Sequence, residues 1–105
     1  MTAKFDYKFS RNISIRYKGE VIPGTITIDR IEEDKERGRW KCYYTISMIV
    51  PEGGHIWGDD PLEALSRCLV FLDGLIRGSE EDGLEIWWQH EGDHCGILRG
   101  VTQNK

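Results

Sequence analysis

The chain has 105 residues and a mass of 12.2 kDa, a size that supports one compact core, because two cores would leave each half dependent on disulfides or metals. Hydrophobic residues make up 39% of it and charged residues 30%, with eleven aromatic side chains. This composition excludes disordered and low-complexity classes. We therefore expect a single domain over residues 1–105, with a frayed tail at about 100–105 and little room for a deep, enclosed active site.

Cysteine usage and hydropathy predict the compartment. No run approaches the ~18 apolar residues of a membrane helix, and basic side chains interrupt the first twenty residues, where a signal peptide would be apolar. Cys42, Cys68 and Cys95 are an odd number in separate segments, which argues against a disulfide framework and for a reducing compartment. The expectation is a cytoplasmic protein with no cofactor and no membrane contact.

Charge is distributed unevenly along the chain. Residues 1–49 hold ten basic and seven acidic side chains, whereas residues 50–95 hold two basic and eleven acidic ones, a balance of −9. Such a region attracts cationic partners and repels nucleic acid phosphates and anionic lipid. We therefore predict a protein partner and no nucleic acid. The alternative is that the acidic residues only keep a small domain soluble.

Hydrophobic alternation with a period of two predicts most of the chain to be β-strand. Pro23 should limit the second strand at its start, because proline cannot donate to a central ladder. The residues Pro51 to Gly54 have the composition of a hairpin turn. The predicted strands span residues 5–17, 21–31, 39–50, 55–57 and 84–88, with a short sixth strand at 95–98.

One segment, residues 61–77, has the pattern of a helix. Asp60 is placed to cap it, Pro61 suits its first position, and Glu63 falls three residues after the cap. Arg77 and Gly78 form the expected stop, followed by an exposed acidic run over residues 79–83. The predicted fold class is α+β, an antiparallel meander of five or six strands with this helix packed across one face. The predicted apolar stripe consists of Leu62, Leu65, Leu69, Leu72 and Ile76, widened by Ala64, Cys68, Phe71 and Leu75.

Two motifs carry a family resemblance. Trp40, Cys42, Tyr44 and Ile46 spell W-x-C-x-Y-x-I, and residues 58–65 spell G-x-D-x-x-E-A-L. The sequence resembles a family of small bacterial proteins of unknown function in which such a strand leads through a hairpin to a G-x-D-x-x-Q-A-L helix opening, usually with glutamine where this chain has glutamate. The resemblance covers residues 39 to about 95 and implies no catalytic residues. In size and charge the chain is also similar to immunity proteins of bacterial toxin systems, which implies a basic toxin domain as partner.

Trp87 is the predicted anchor of a partner-binding surface. It lies on the opposite face of its strand from Ile86 and Trp88, and an exposed tryptophan among acidic side chains is typical of a protein-binding hot spot. The alternative is that a second layer or a second copy in a homodimer covers it. The predicted partner-binding residues are Trp87, Glu85, Glu80, Glu81, Asp82, Glu91 and Asp93.

The segment His90 to His94 matches the H-E-x-x-H pattern of zinc metalloproteases. That chemistry needs a helix, which places both histidines on one face beside the glutamate. Here Gly92 lies inside the motif and a predicted strand precedes it, so a turn is the better interpretation. No metal is predicted. The alternative is a small enzyme or metal-binding domain that uses His90, His94 and Cys95.

Overall fold

The computed structural model describes residues 4–5 and 8–88. Within that part, six strands and one helix follow one another along the chain. The elements are β1 (Lys4–Phe5), β2 (Phe9–Tyr17), β3 (Glu20–Asp34), β4 (Arg39–Ile46), β5 (Val50–Gly58), α1 (Pro61–Glu81) and β6 (Glu85–Trp87). No helix among these residues is both long and apolar enough to cross a membrane.

The strands form one antiparallel sheet in the order β5-β4-β3-β2-β6, with β1 also paired to β3. Strands β2 to β5 follow one another as hairpins, which makes the sheet a meander. The chain then crosses the sheet through α1 and adds β6 beside β2, at the opposite edge from β5. This is the predicted α+β architecture, an antiparallel meander with one helix packed across it.

The β4–β5 turn lies earlier than predicted. Strand β4 ends at Ile46, and the turn occupies residues 47–49, where Met48 has a φ of 69°. Ser47 holds the chain there, because its hydroxyl accepts a hydrogen bond from the Thr25 N–H at 2.8 Å while its own N–H donates to the Thr25 carbonyl at 3.0 Å. The residues from Pro51 to Gly54, predicted as the turn, belong to β5 instead.

Pro23 lies inside β3, contrary to the prediction that it limits the strand. It pairs with Ser14 of β2, while the register between β3 and β4 begins only at Ile26. At Pro23, β3 therefore has a neighbouring strand on one side only, which is β2. Because β4 does not pair with β3 there, the N–H that proline lacks is not missing from the β3–β4 ladder.

Helix α1 covers one face of the sheet and closes the core. Its buried apolar residues recur every four positions, which directs one narrow stripe onto the strands. Leu62, predicted in the stripe, is 74% exposed, and Phe71 is 39% exposed. Cys42 and Cys68 are core residues, as predicted. The core consists of Ile13, Ile15, Ile26, Ile28, Ile31, Cys42, Tyr44, Ile46, Ala64, Cys68, Leu72, Ile76 and Ile86.

Helix α1 begins at the predicted cap but ends a full turn later than predicted. Gly78 is helical, and Gly83, with a φ of 105°, takes the left-handed position after the helix. The N–H of Leu84 donates to the Ser79 carbonyl at 3.1 Å. The first three residues of the predicted acidic loop, residues 79–81, are therefore helical.

Loss of the helix cap should cost stability without affecting partner binding. The Asp60 carboxylate accepts the Glu63 N–H at 2.7 Å, and the Glu63 carboxylate accepts the Asp59 N–H at 2.6 Å. We expect Asp60→Ala to lower the free energy of unfolding by about 1 kcal/mol, measured by urea denaturation. Asp60→Asn keeps a side-chain oxygen as hydrogen-bond acceptor and should therefore retain most of the stability of the unmodified chain. If Asp60→Ala lost partner binding while its urea denaturation midpoint stayed unchanged, this structural role would be contradicted.

Candidate functional site

The face of the sheet opposite α1 is the candidate functional site, and we call it the uncovered face, since no described element packs on it. Register places Tyr43 beside His55 and Lys41 beside Trp57 across β4 and β5. The side chains of Tyr43, His55 and Trp57 form a continuous series, here called the aromatic row. Ring centroids are 5.5 Å apart between Tyr43 and His55 and 5.4 Å apart between His55 and Trp57, the latter edge to face.

Basic side chains lie over the aromatic row. The Arg30 guanidinium is 3.7 Å from the Tyr43 ring centroid, and the Lys41 ammonium lies between the two ends of the row, 5.7 Å from Tyr43 and 5.3 Å from Trp57. The Arg37 and Arg39 guanidiniums are each 5.7 Å from the Trp57 ring. All these distances are within the range of cation–π attraction.

Three carboxylates balance most of this positive charge. Glu32 lies 3.8 Å from Arg30 and accepts the Tyr43 hydroxyl at 3.4 Å. Asp34 is 3.1 Å from Arg37 and 4.0 Å from Lys41, and Asp59 is 3.7 Å from Arg39. The Arg37 N–H that donates to Asp34, reinforced by the Arg37 guanidinium and by Lys41, lowers the pKa of the Asp34 carboxyl, so Asp34 stays ionised.

His55 is a neutral ring at physiological pH. Partial burial between its aromatic neighbours, followed by the positive charge of Lys41, lowers its pKa below the usual histidine value. A neutral imidazole supplies one donor and one acceptor to a partner. Across the aromatic row the uncovered face thus presents flat rings, paired charges and one neutral polar group.

The structure places Trp87 differently from the prediction. Its side chain is on the same face of the sheet as the aromatic row, as alternation predicted, but it is 8% exposed, so the face is covered at this position and Trp87 is not an exposed anchor. The Arg16 guanidinium of the neighbouring strand lies 5.3 Å from its ring. Trp88, predicted to share a face with Ile86, is 37% exposed because β6 ends at Trp87 and the alternation ends with it. The Arg11 guanidinium is 4.5 Å from the Trp88 ring.

Four of the predicted acidic residues lie near the junction of α1 and β6, and we call them the acidic corner: Glu80, Glu81, Asp82 and Glu85. Glu85 is bound to Arg16 at 3.1 Å. Glu81 and Asp82 are exposed, and within the described part of the chain no ion pair engages their carboxylates. The corner is continuous along the chain, whereas the aromatic row is assembled from two strands.

The remaining predictions on sites lie outside the described residues. These are the partner-binding residues Glu91 and Asp93 and the motif residues His90, His94 and Cys95. Over residues 4–5 and 8–88 no group of three or more metal-binding side chains occurs. The hydrogen bond with Cys42, together with burial, raises the pKa of the Cys68 thiol, which therefore stays protonated in the core.

Comparison with protein-family models, curated proteins and solved structures gives no match to this chain. Reasoning about the sequence missed the aromatic row. A signal was present, because Lys41 and Tyr43 share one parity along β4 and His55 and Trp57 share one along β5. Recognising it required the register between the two strands, and that register could not be predicted because the turn between them was predicted at the wrong residues.

Proposed function

We propose that the protein is a non-enzymatic protein-binding module that contacts its partner with the aromatic row. The observation that carries this proposal is the composition of the uncovered face, where tyrosine, tryptophan and arginine lie together on adjacent rigid strands. These three residue types dominate binding hot spots in protein interfaces. Cation–π contacts hold the rings and guanidiniums in place before binding, which reduces the entropy lost on association.

The paired charges favour a protein partner over a nucleic acid. Nucleic acid binding depends on basic side chains that neutralise phosphates, but Arg30, Arg37 and Arg39 each have a carboxylate within 3.8 Å. The chain as a whole carries a net charge of −4. Aromatic side chains surrounded by paired charges resemble a protein interface, which has an aromatic centre and a polar rim.

For the biological role, we propose an immunity protein that neutralises a cognate bacterial toxin in the cytoplasm. The buried free thiols of Cys42 and Cys68 favour a reducing compartment. The acidic corner supports a second candidate contact, one that covers a basic toxin site, because the exposed carboxylates of Glu81 and Asp82 form no ion pair among the described residues. Acidic groups there would raise the association rate with a basic partner.

Affinity for the purified native partner tests the aromatic row. The partner is captured from the host, identified and titrated against the full chain by calorimetry. We expect Tyr43→Ala to weaken binding about 30-fold, the effect of losing a hot-spot ring. Tyr17→Ala is the matched control, because Tyr17 is 44% exposed on β2, away from the row, and should leave the affinity unchanged.

Two results would decide against the aromatic row. Equal affinity of Tyr43→Ala and the unmodified chain would reject it, provided both melt cooperatively. A loss confined to the double variant Glu81→Lys/Asp82→Lys, with binding that weakens steeply as salt increases, would transfer the contact to the acidic corner.

A further inference from the structure

We infer that two copies of the chain form an antiparallel, two-fold symmetric dimer through the outer side of α1, with Val70 of one copy beside Val70 of the other. The outer side is the one that faces away from the sheet. The dimer does not rest on the proposed function, because α1 and the aromatic row lie on opposite faces of the sheet. The two aromatic rows would point outward, so each copy would bind its own partner.

Val70 is an exposed apolar side chain at the centre of this outer side. It is two residues from both Cys68 and Leu72, which are buried, so it lies on the opposite side of the helix from them. Val70 is 60% exposed, and together with Ser66 and Arg67 it lines a shallow depression. Two packed helices fit together when a side chain of one enters such a hole in the other.

The residues one turn on either side of Val70 are small. Gly74 follows it, and Ser66 precedes it. A Cβ at Gly74 would meet nothing within 4 Å, so the fold of the single chain does not require glycine there, although glycine weakens a helix interior. Small residues allow a second helix to approach closely, towards the short end of the usual 8–10 Å between axes.

The order of charges makes the outer side complementary to itself in an antiparallel pair. Over residues 61–79 the order is acidic, basic, acidic, basic, and the four positions are symmetric about Val70. Two of them are seven residues from Val70 and two are three residues from it. A two-fold axis at Val70 therefore sets every charge opposite one of the other sign, whereas a parallel pair would set like charges together. The four residues are Glu63, Arg67, Asp73 and Arg77.

Glu63 and Arg77 can form ion pairs between the two copies. Their seven-residue spacing from Val70 keeps all three on one seam when antiparallel helices cross at about 20°. Arg77 is 60% exposed and bound to its own Asp73 at 3.0 Å, and Glu63 has its own Arg67 at 3.6 Å. These pairs stay in place in the dimer, so no charge is buried without a partner.

Like charges approach each other only at the two ends of the contact. Four acidic residues lie there, all at least partly exposed, so their repulsion is screened at physiological ionic strength. Arg39 also offsets part of it, 3.7 Å from one of the carboxylates. The contact is thus confined to residues 63–77, about 21 Å of helix, which predicts a weak dimer. The four acidic residues are Asp59, Asp60, Glu80 and Glu81.

Sedimentation equilibrium of the full chain, from about 10 μM to about 1 mM, tests the dimer. We expect the mass to rise towards twice the chain mass of 12.2 kDa. Val70→Glu and Val70→Lys should each weaken dimerisation at least about 30-fold, because like charges would meet at the axis. An equimolar mixture of the two should regain the dimer, since glutamate then faces lysine.

The matched controls are Val21→Glu and Val21→Lys. Val21 is 51% exposed on β3, away from α1, so these changes should leave dimerisation unaltered. Glutamate and lysine favour a helix more than valine does, and cooperative melts confirm that the Val70 variants fold. Gly74→Ala should weaken the dimer although it strengthens the helix of the single chain, and a glycine with a structural role alone would not give these opposite effects.

Cross-linking with a short bismaleimide tests the orientation of the two helices. In a Cys95→Ser background, Ser66→Cys should link to Gly74→Cys of a second copy and not to Ser66→Cys of its own kind. Cys42 and Cys68 are 0% exposed and should not react.

Any of four results would overturn the inference. These are a mass that stays at 12.2 kDa up to about 1 mM, a dimer that persists in Val70→Glu, a mixture of the two Val70 variants that stays monomeric, or Ser66→Cys linked to itself. Failure here is distinguishable from failure of the proposed function, since the effect of Tyr43→Ala on partner affinity does not depend on dimerisation.

Discussion

Replacement of Gly58 by alanine should destabilise the protein by about 3 kcal/mol and lower its melting temperature by about 15 °C. A Cβ at this position would lie 2.6 Å from Ala64 Cα and 2.8 Å from the Glu63 carbonyl carbon, and it would also meet the Ala64 nitrogen. These are backbone atoms of the first helical turn. They cannot move away without disrupting the cap at Asp60, so the extra methyl group must push α1 off β5.

Gly74→Ala provides the control for that measurement. Gly74 lies within α1, and a Cβ there would meet nothing within 4 Å. Because alanine has the higher helix propensity, this substitution should stabilise the protein by about 1 kcal/mol. In thermal melts, the same change from glycine to alanine should therefore lower the melting temperature at Gly58 and raise it at Gly74. If Gly58→Ala does not lower the stability, α1 does not approach β5 as closely as the structure places it.

Truncation of Leu72 should cost about 3 kcal/mol, the second large effect. Leu72 is 0% exposed in the middle of the buried stripe of α1, where its side chain faces the sheet. Leu72→Ala removes apolar contacts and leaves a cavity that the surrounding strands cannot fill completely. Chemical denaturation monitored by tryptophan fluorescence measures the loss.

The matched substitution is Leu62→Ala on the same helix. Leu62 is 74% exposed, so its truncation should change the free energy of unfolding by no more than about 0.5 kcal/mol. The sequence alone assigned both leucines to one apolar stripe. Equal losses at the two positions would therefore support that broader stripe and contradict the narrow helix–sheet contact seen in the structure.

The sequence determined the features that depend on neighbouring residues. The cap at Asp60 could be predicted because its carboxylate bonds to an N–H three residues away, and Pro61 fixes the local backbone. Alternation predicted the strands, and the spacing of apolar residues predicted the helix that crosses them. The α+β meander follows from these local patterns together with hairpins that join consecutive strands.

Tertiary structure decided where the elements end and which side chains meet. The sequence predicts that the helix stops at Gly78, yet the helix continues to Glu81. Glycine can adopt the conformation that ends a helix, but it can also remain helical. Ser47 sets the β4–β5 turn through its bonds to Thr25, a residue of another strand. The aromatic row exists because that turn sets the register that brings β4 and β5 side chains together. Such contacts join residues distant in sequence, so no local propensity could specify them.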